Sequence, residues 1–391
     1  MTVRPCPLCA NPLPRLFFER RGVPVHQNRA CPSAEEARQF GRGDLLLTFC
    51  PECGFVFNSA FDPELLNYSA AYENTQTCSP HFQHYLSRLV DSLLTKYGLR
   101  DKVVVEIGCG KGDFLRQLCK GGRNRGIGFD PTYVGPQTIE GGAVRFVREF
   151  YDSKQTHYAA DFVCCRHVIE HLQSPLEMLK TVRQAIGSRL TSVVFFETPA
   201  LPWTLDSLSF WDLFYEHCSY FTSESLAWGF QQTGFDVLET GPAFDGQYLH
   251  VKARPAATGS KRGRVQPQPA DLWPKIQAFL AGLDKRIEVC EEKIEAFSRA
   301  GGCAIWGAAA KGATLANTMD PQNRRIRFLI DINPAKQGKY IAGTGHPIVP
   351  PAHLKDRNGR VAGILNMNPN YLEENRMILA EMKLDIPLLQ L

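Results

Sequence analysis

Tyr215, Glu216 and His217 stand side by side in DLFYEHCSYF, the stretch Asp212–Phe221. A histidine with an ordinary pKa of about 6.5 takes up and gives back protons near neutral pH. A carboxylate beside it can orient the ring or hold a hydroxyl. A phenol can donate to an oxygen on which negative charge develops. The trio therefore suits removal of a proton next to a ketone, which leaves an enolate as a carbon nucleophile. The same aromatic surroundings also suit a packed turn around a satisfied core histidine.

A second constellation is made of sulfur. Cys6-Pro-Leu-Cys9 and Cys50-Pro-Glu-Cys53 are two CxxC knuckles, each able to turn two thiolates toward one ion. Together they predict a four-sulfur structural zinc site at Cys6, Cys9, Cys50 and Cys53. With all four positions filled by protein, the ion would hold structure and would not activate water. Cys31 lacks a knuckle partner and competes poorly.

The third constellation is a glycine turn. Val103-Val-Val-Glu-Ile107 reads as a strand, and Gly108-Cys-Gly-Lys-Gly112 leads from it into the helix-like DFLRQLC. Glycines there permit positive φ and close approach of a ligand to the backbone. A second unit ends at Asp130, an acidic residue at a strand tip, placed to hold a ribose diol. By itself the glycine pattern also fits a nicotinamide nucleotide. The whole of VVEIGCGKG, with Glu106, resembles the first motif of class I S-adenosylmethionine-dependent methyltransferases. That resemblance implies cofactor contacts from Glu106, Gly108, Gly110 and Asp130. VRFVREFY would supply the third strand and an adenine-facing loop with Glu149. The segment Asp161–Leu172 would supply the fourth strand, with His167 after it.

These groups need elements to position them. TSVVFFETP (Thr191–Pro199) predicts a fifth strand, and FDVLETG and QYLHVKA predict a closing antiparallel pair. The Tyr-Glu-His trio lies between them, at the end of the sheet where loops build substrate sites. A Pro, Gly and basic stretch, Ala253–Asp271, predicts a connection that contains the run Ser260–Arg264. A helix follows to about Arg299. Cys303–Gly312 and Ile326–Asp331 then repeat strand, turn and helix. Gly307 and Gly312 permit a close turn, and Lys311 is placed to meet phosphate on an anionic substrate. The expected domains are 1–75, 76–254, a linker and helix over 255–300, and 301–391.

Composition narrows the classes. With 391 residues, 44% apolar, 21% charged and a net charge of +4, the chain suits a soluble protein of several domains. The weak charge disfavours nucleic-acid binding. Asn368-Pro-Asn-Tyr371 superficially matches an amino-methylating motif, about 200 residues from where that motif belongs. The start MTVRPCPLC has no apolar core, and no long apolar run occurs, so the expectation is a cytoplasmic protein without a membrane partner. Thirteen cysteines without an export signal fit metal binding better than disulfides.

Taken together, CPLC…CPECG, EIGCGKG, YEHCSYF, GAAAKG, DINPAKQGKYIAGTGHPI and ILNMNPNYLEEN resemble the sugar C-methyltransferase family across nearly the whole chain. The resemblance implies an α/β architecture. It consists of a small amino-terminal zinc module, a class I methyltransferase Rossmann-like sheet and a carboxyl-terminal Rossmann-like domain. It implies S-adenosylmethionine as cofactor and a small-molecule acceptor, a nucleotide-linked ketosugar in several members. His217 matches the family's general base, flanked by Tyr215 and Glu216. Tyr68 and Tyr72 in NYSAAY match a tyrosine motif that reaches the pocket, and His171 matches the histidine after the fourth strand. Two segments depart from the family's pattern. Asp245–Leu249, with Gln247 and Tyr248, replaces a GGSLR-like segment of the substrate region, and Pro199-Ala200 replaces Pro-Asn. O- or N-methylation of a small molecule, or a non-catalytic scaffold, fits the same residues.

Overall fold

The structure is a computed structural model that describes residues 4–68, 72–155, 157–257 and 265–391. The basic run Ser260–Arg264 lies outside the described residues, as does Ser69 of the tyrosine motif. Among the described residues no helix is long and apolar enough to cross a membrane.

The amino-terminal module is an antiparallel sheet of Arg15–Pro24, Arg42–Phe49 and Val56–Asn58. Its fourth strand, Ser219–Tyr220, comes from the residues just after His217, with Tyr220 paired to Val56 and Ser219 to Phe57. The loop that carries the trio is thereby stitched to the cysteine-bearing module.

The central sheet has eight strands. Val103–Ile107 pairs in parallel with Arg125–Phe129 on one side and Phe162–Arg166 on the other. Val144–Val147 and Val193–Pro199 extend the parallel set outward. Tyr248–Pro255 runs antiparallel between Val193–Pro199 and Phe235–Ala243, which forms one edge. The two-residue strand Thr138–Ile139 forms the other. This is the class I methyltransferase sheet, and its β-branched and aromatic runs are buried on both faces, as parallel strands require. The helix Pro80–Tyr97 covers one face with Phe82, Leu86, Val90 and Leu93, a 4-4-3 spacing that puts all four on one side. Ser79 caps its start and Gly98, at φ 58°, ends it.

After the helix Pro269–Ala300 comes a five-stranded all-parallel sheet. Cys303–Trp306 lies at its centre, flanked by Ile326–Ile330 and Gly363–Asn366. Both sheets change direction of winding beside the first strand of their parallel set. That feature opens a crevice at the strands' carboxyl ends. The two crevices face one another. A short antiparallel pair, Ala30–Cys31 with Tyr340–Ile341, ties the amino-terminal module to the carboxyl-terminal one.

Candidate active site and metal centre

The four knuckle cysteines converge. Their sulfurs all lie within 4.8 Å of one another, with Cys6 to Cys53 at 3.6 Å and Cys9 to Cys50 at 3.4 Å. Four thiolates at about 2.3 Å from a zinc ion are separated by about 3.8 Å, so the donor set and its spacing fit a structural zinc. The cluster packs beneath Phe55 and Phe221, within the core that also supports the central sheet.

A cavity of about 260 Å³ lies between the carboxyl ends of the two parallel sheets. From the central sheet it receives His167, Glu170, His171 and Pro199, and from the loop beyond it, His217. The carboxyl-terminal domain contributes Trp306, Lys311, Asp331 and Asn333. Tyr72, residues 74–76, Cys78 and Ser79 complete the wall, as part of a strap across all three modules. Lys111 and Asp113 beside the glycine turn meet Glu73 and Thr77 of the strap, at 3.6 and 2.8 Å. Asn333 donates to Glu73, and Ser79 donates to Glu374 at 2.6 Å.

His217 sits between rings. Its centroid is 4.1 Å from Phe214 and 4.9 Å from His171. Burial, helped by His171, His167 and Lys311, pushes its pKa well below 6.5. The imidazole is therefore neutral, with one ring nitrogen unprotonated, and burial makes it a weaker base than a free histidine. Tyr68 meets His171 Nδ1 at 3.0 Å, and its ring lies 5.1 Å from that of Tyr72. Burial raises both phenols well above 10, so each remains a hydrogen-bond donor. Tyr72 lines the cavity, whereas Tyr68 stands behind His171.

The other two members of the trio are not brought to the cavity. Glu216 points inward, with Oε1 2.6 Å from His26 Nδ1 and Oε2 accepting from Gln27 N–H at 3.2 Å. Tyr215 is fully buried. Its hydroxyl accepts from Asp62 N–H and donates to the Asp62 carbonyl. Its ring occupies the space that a side chain at Gly43 would need, 2.4 Å from a Cβ there. Consecutive side chains in a tight turn diverge, and only His217 faces the open volume.

The first glycine turn has the expected conformation. Gly108 has φ 68°, and a Cβ there would meet Val168 at 2.1 Å, so no other residue fits. Asp130 accepts from Gly110 N–H at 2.7 Å and from Thr132. Glu106 is buried, its Oε2 has no partner among the described residues, and burial raises its pKa to about 8. Neither this turn nor Asp130 lines the 260 Å³ cavity, which meets the central sheet at His167 and Glu170. His167 lies 3.2 Å from Glu197 and 3.6 Å from Glu170. Burial works against its charge, but the two carboxylates outweigh it and raise its pKa. Glu149 is exposed and accepts from Gln155 at 2.9 Å, away from the cavity.

Lys311 lines the cavity but is already matched. It forms an ion pair with Asp212 and its ammonium lies 4.5 Å from the Trp203 ring centre. The expected free phosphate ligand is thus an ion-paired lysine, because the segment between Val193–Pro199 and Ser219–Tyr220 brings Asp212 against the second glycine turn. Gly312 is required there, since a Cβ would lie 1.9 Å from the Gly307 carbonyl oxygen. Gln247 accepts from Asn368 at 2.9 Å, and Tyr248 donates to Gln76 at 2.9 Å. Both line the cavity while joining modules.

Sequence reasoning missed His26, Glu170, Asp212 and the strap. Glu170 was findable as the neighbour of His171; a lone His26 gave no signal.

Comparison with known proteins adds to this geometry. Residues 81–240 match the model of a methyltransferase domain, and residues 277–380 match that of a C-methyltransferase C-terminal domain. The C-methyltransferase NovU of Streptomyces niveus is 28% identical over 289 residues, 68% of this chain and 67% of its own. The tRNA U34 carboxymethyltransferase of Helicobacter pylori (strain G27) is 33% identical over 101 residues, 23% of this chain and 39% of that enzyme. Human N-acetylserotonin methyltransferase, among solved structures, superposes with a TM-score of 0.36 at 16% identity, covering 45% of this chain and 55% of its own.

Proposed function

We propose that this chain, an S-adenosylmethionine-dependent methyltransferase with a C-methyltransferase carboxyl-terminal domain, methylates a carbon beside a carbonyl on a small molecule, with His217 as general base. A nucleotide-linked ketosugar is the acceptor we favour. The observation that carries the reading is the position of the His217 imidazole at the wall of a cavity shared by the methyltransferase sheet and that domain.

S-adenosylmethionine, when bound, supplies an electrophilic methyl group. Glu106, Gly108, Gly110 and Asp130 would hold it, and the orphaned Glu106 oxygen would receive a donor from it. His167 would stand at the border between cofactor and acceptor. His217 takes the proton from the acceptor's α-carbon. The Tyr72 phenol donates to the enolate oxygen, and a preorganised donor there stabilises developing charge most. Tyr68 fixes the His171 ring, which in turn flanks His217. The cavity's carboxyl-terminal wall binds the remainder of the acceptor, with Gln247, Tyr248 and the Lys311–Asp212 pair at its edge.

Deuterium exchange at the acceptor's α-carbon, measured with the demethylated cofactor, tests the base. Wild type exchanges that hydrogen and His217→Asn exchanges it far more slowly. Turnover of the variant falls by roughly 10²–10⁴-fold while cofactor affinity holds. An unchanged exchange rate rejects His217 as base. A methyl group on oxygen or nitrogen in the product NMR spectrum replaces this reading with O- or N-methylation.

A further inference from the structure

The strap that leads into the helix Pro80–Tyr97 is held by polar ties, and Glu73 is their centre. Its Oε2 lies 3.6 Å from the ammonium of Lys111, a member of the first glycine turn. Its Oε1 accepts from Asn333 Nδ2 at 3.2 Å and from the Thr75 N–H at 2.9 Å. Its own N–H donates to the Asn28 carbonyl at 2.9 Å. One side chain thus meets the glycine turn of the central sheet and the loop after Ile326–Ile330 of the second sheet, while its backbone is held by the amino-terminal module. Burial works against the charge of Glu73, but the bonds from Thr75, with Lys111 and Asn333, outweigh it and hold its pKa below the ordinary value. The carboxylate is therefore ionised at neutral pH.

The residues that follow repeat the pattern. Thr77 Oγ1 donates at 2.8 Å to Asp113, the first residue of the helix after the glycine turn. Gln76 Oε1 accepts from Tyr248 of the central sheet and from Tyr371 of the carboxyl-terminal domain, each at 2.9 Å. Ser79 Oγ donates to Glu374 at 2.6 Å. Residues 73–79 read ENTQTCS, with no aliphatic or aromatic side chain to bury. A segment held by polar ties that buries little apolar surface opens locally at low cost. Tyr72, just before it, lines the cavity that holds His217. Opening of the strap therefore removes one wall of that cavity and, in the same motion, breaks the contacts with Lys111 and Asp113.

We propose that Glu73 is a positioning residue that couples the cofactor site to the acceptor cavity: S-adenosylmethionine binds the chain with the strap closed, and the cavity wall is complete only then. The proposal rests neither on the reading of His217 nor on the identity of the acceptor. Gly108 and Gly110, which would hold the cofactor, share one turn with Lys111, and Asp113 starts the helix that the turn leads into. Ordering of that turn fixes the two groups to which the strap is anchored. A ligand that binds only the closed form makes opening rarer in proportion to its occupancy. By the same linkage, an open strap weakens the hold on the cofactor.

Hydrogen exchange of the peptide that covers residues 72–79 tests this, on the zinc-loaded full chain with S-adenosylhomocysteine as the probe and no acceptor. Calorimetry on each protein first gives the dissociation constant, so that occupancy is set. In wild type, free S-adenosylhomocysteine at ten times its Kd slows exchange of the protected strap amides by about tenfold. The edge strand Leu388–Gln390, remote from the glycine turn, keeps its rate. Glu73→Ala cuts the ties to Lys111 and Asn333. Its strap exchanges faster without ligand, and S-adenosylhomocysteine at ten times its Kd for the variant slows that exchange by less than about twofold. If Glu73→Ala fails to fold, Thr77→Val, which keeps the side-chain shape and cuts the tie to Asp113, decides by the same ratio. A purely structural Glu73 would speed exchange in the variant but leave the tenfold ratio intact, and that result overturns the proposal. Wild-type strap exchange that the ligand leaves unchanged, or equal slowing in Leu388–Gln390, overturns it as well.

Discussion

Glu216 and His26, 190 residues apart, form a buried pair at 2.6 Å directly behind the residue that faces the cavity. His26 Nε2 accepts from Asn67 N–H at 3.0 Å, so its Nδ1 carries the proton it donates to the carboxylate. The backbone between Phe214 and Cys218 is thereby held from two sides, by this pair and by the strand that joins Ser219–Tyr220 to Val56 and Phe57. His26→Leu strips the carboxylate of its strongest donor. The expected cost is about 3 kcal/mol in unfolding free energy. Turnover falls while cofactor affinity holds, because the loop loses its direction and not its cofactor. Chemical denaturation and steady-state kinetics read the two effects. Unchanged stability and turnover in the variant would show that the pair positions nothing.

Glu106 makes the stability of the folded chain sensitive to pH. Its carboxyl is carried from 4.5 to about 8 by burial. The protonated form is favoured in the folded state, so this contribution to stability is complete below about pH 4.5. It is lost progressively as pH rises through 8, where folding must either ionise a buried group or keep its proton. Glu106→Gln removes this dependence. Without cofactor, the variant keeps its unfolding free energy from pH 6 to pH 9 better than wild type, with a gap of a few kcal/mol by the upper end. Parallel melting curves at all pH values would mean that the carboxyl is not held neutral.

The four cysteines should bind one zinc ion per chain by elemental analysis. Cys53→Ser, or removal of zinc by a strong chelator, lowers the melting temperature and loosens the Ser219–Tyr220 strand. That strand's partner lies only a few residues beyond the second knuckle. Hydrogen exchange of the 217–221 amides would rise with it. Full thermal stability of zinc-free protein would deny the ion a structural role.

Lys311 and Asp212 are a buried pair, 14% exposed on each side. Lys311→Met leaves the carboxylate unmatched and should destabilise by roughly 3–5 kcal/mol. Adding Asp212→Asn should restore most of that loss. Recovery in the double variant, with acceptor binding still intact, identifies the lysine as a joint between domains. A loss of acceptor affinity that the second substitution leaves in place identifies it as a ligand.

What the sequence by itself determined is local. Two knuckles specify a four-sulfur site because each pair of thiolates is set by three residues of backbone. The glycine turn after Val103–Ile107 was legible because positive φ and close packing at Gly108 are demands on one position. The strand-tip Asp130 and the two parallel sheets followed from hydrophobic runs and turn residues near in the chain. Where a side chain points within a loop was settled only by tertiary structure. Tyr215 turned to Asp62, Glu216 to His26 and Lys311 to Asp212, partners that lie 153, 190 and 99 residues away. Burying a charge or a phenol is costly without a hydrogen-bonding group beside it. The partner that meets that cost is supplied by whichever remote element packs there, and no spacing within the loop records it.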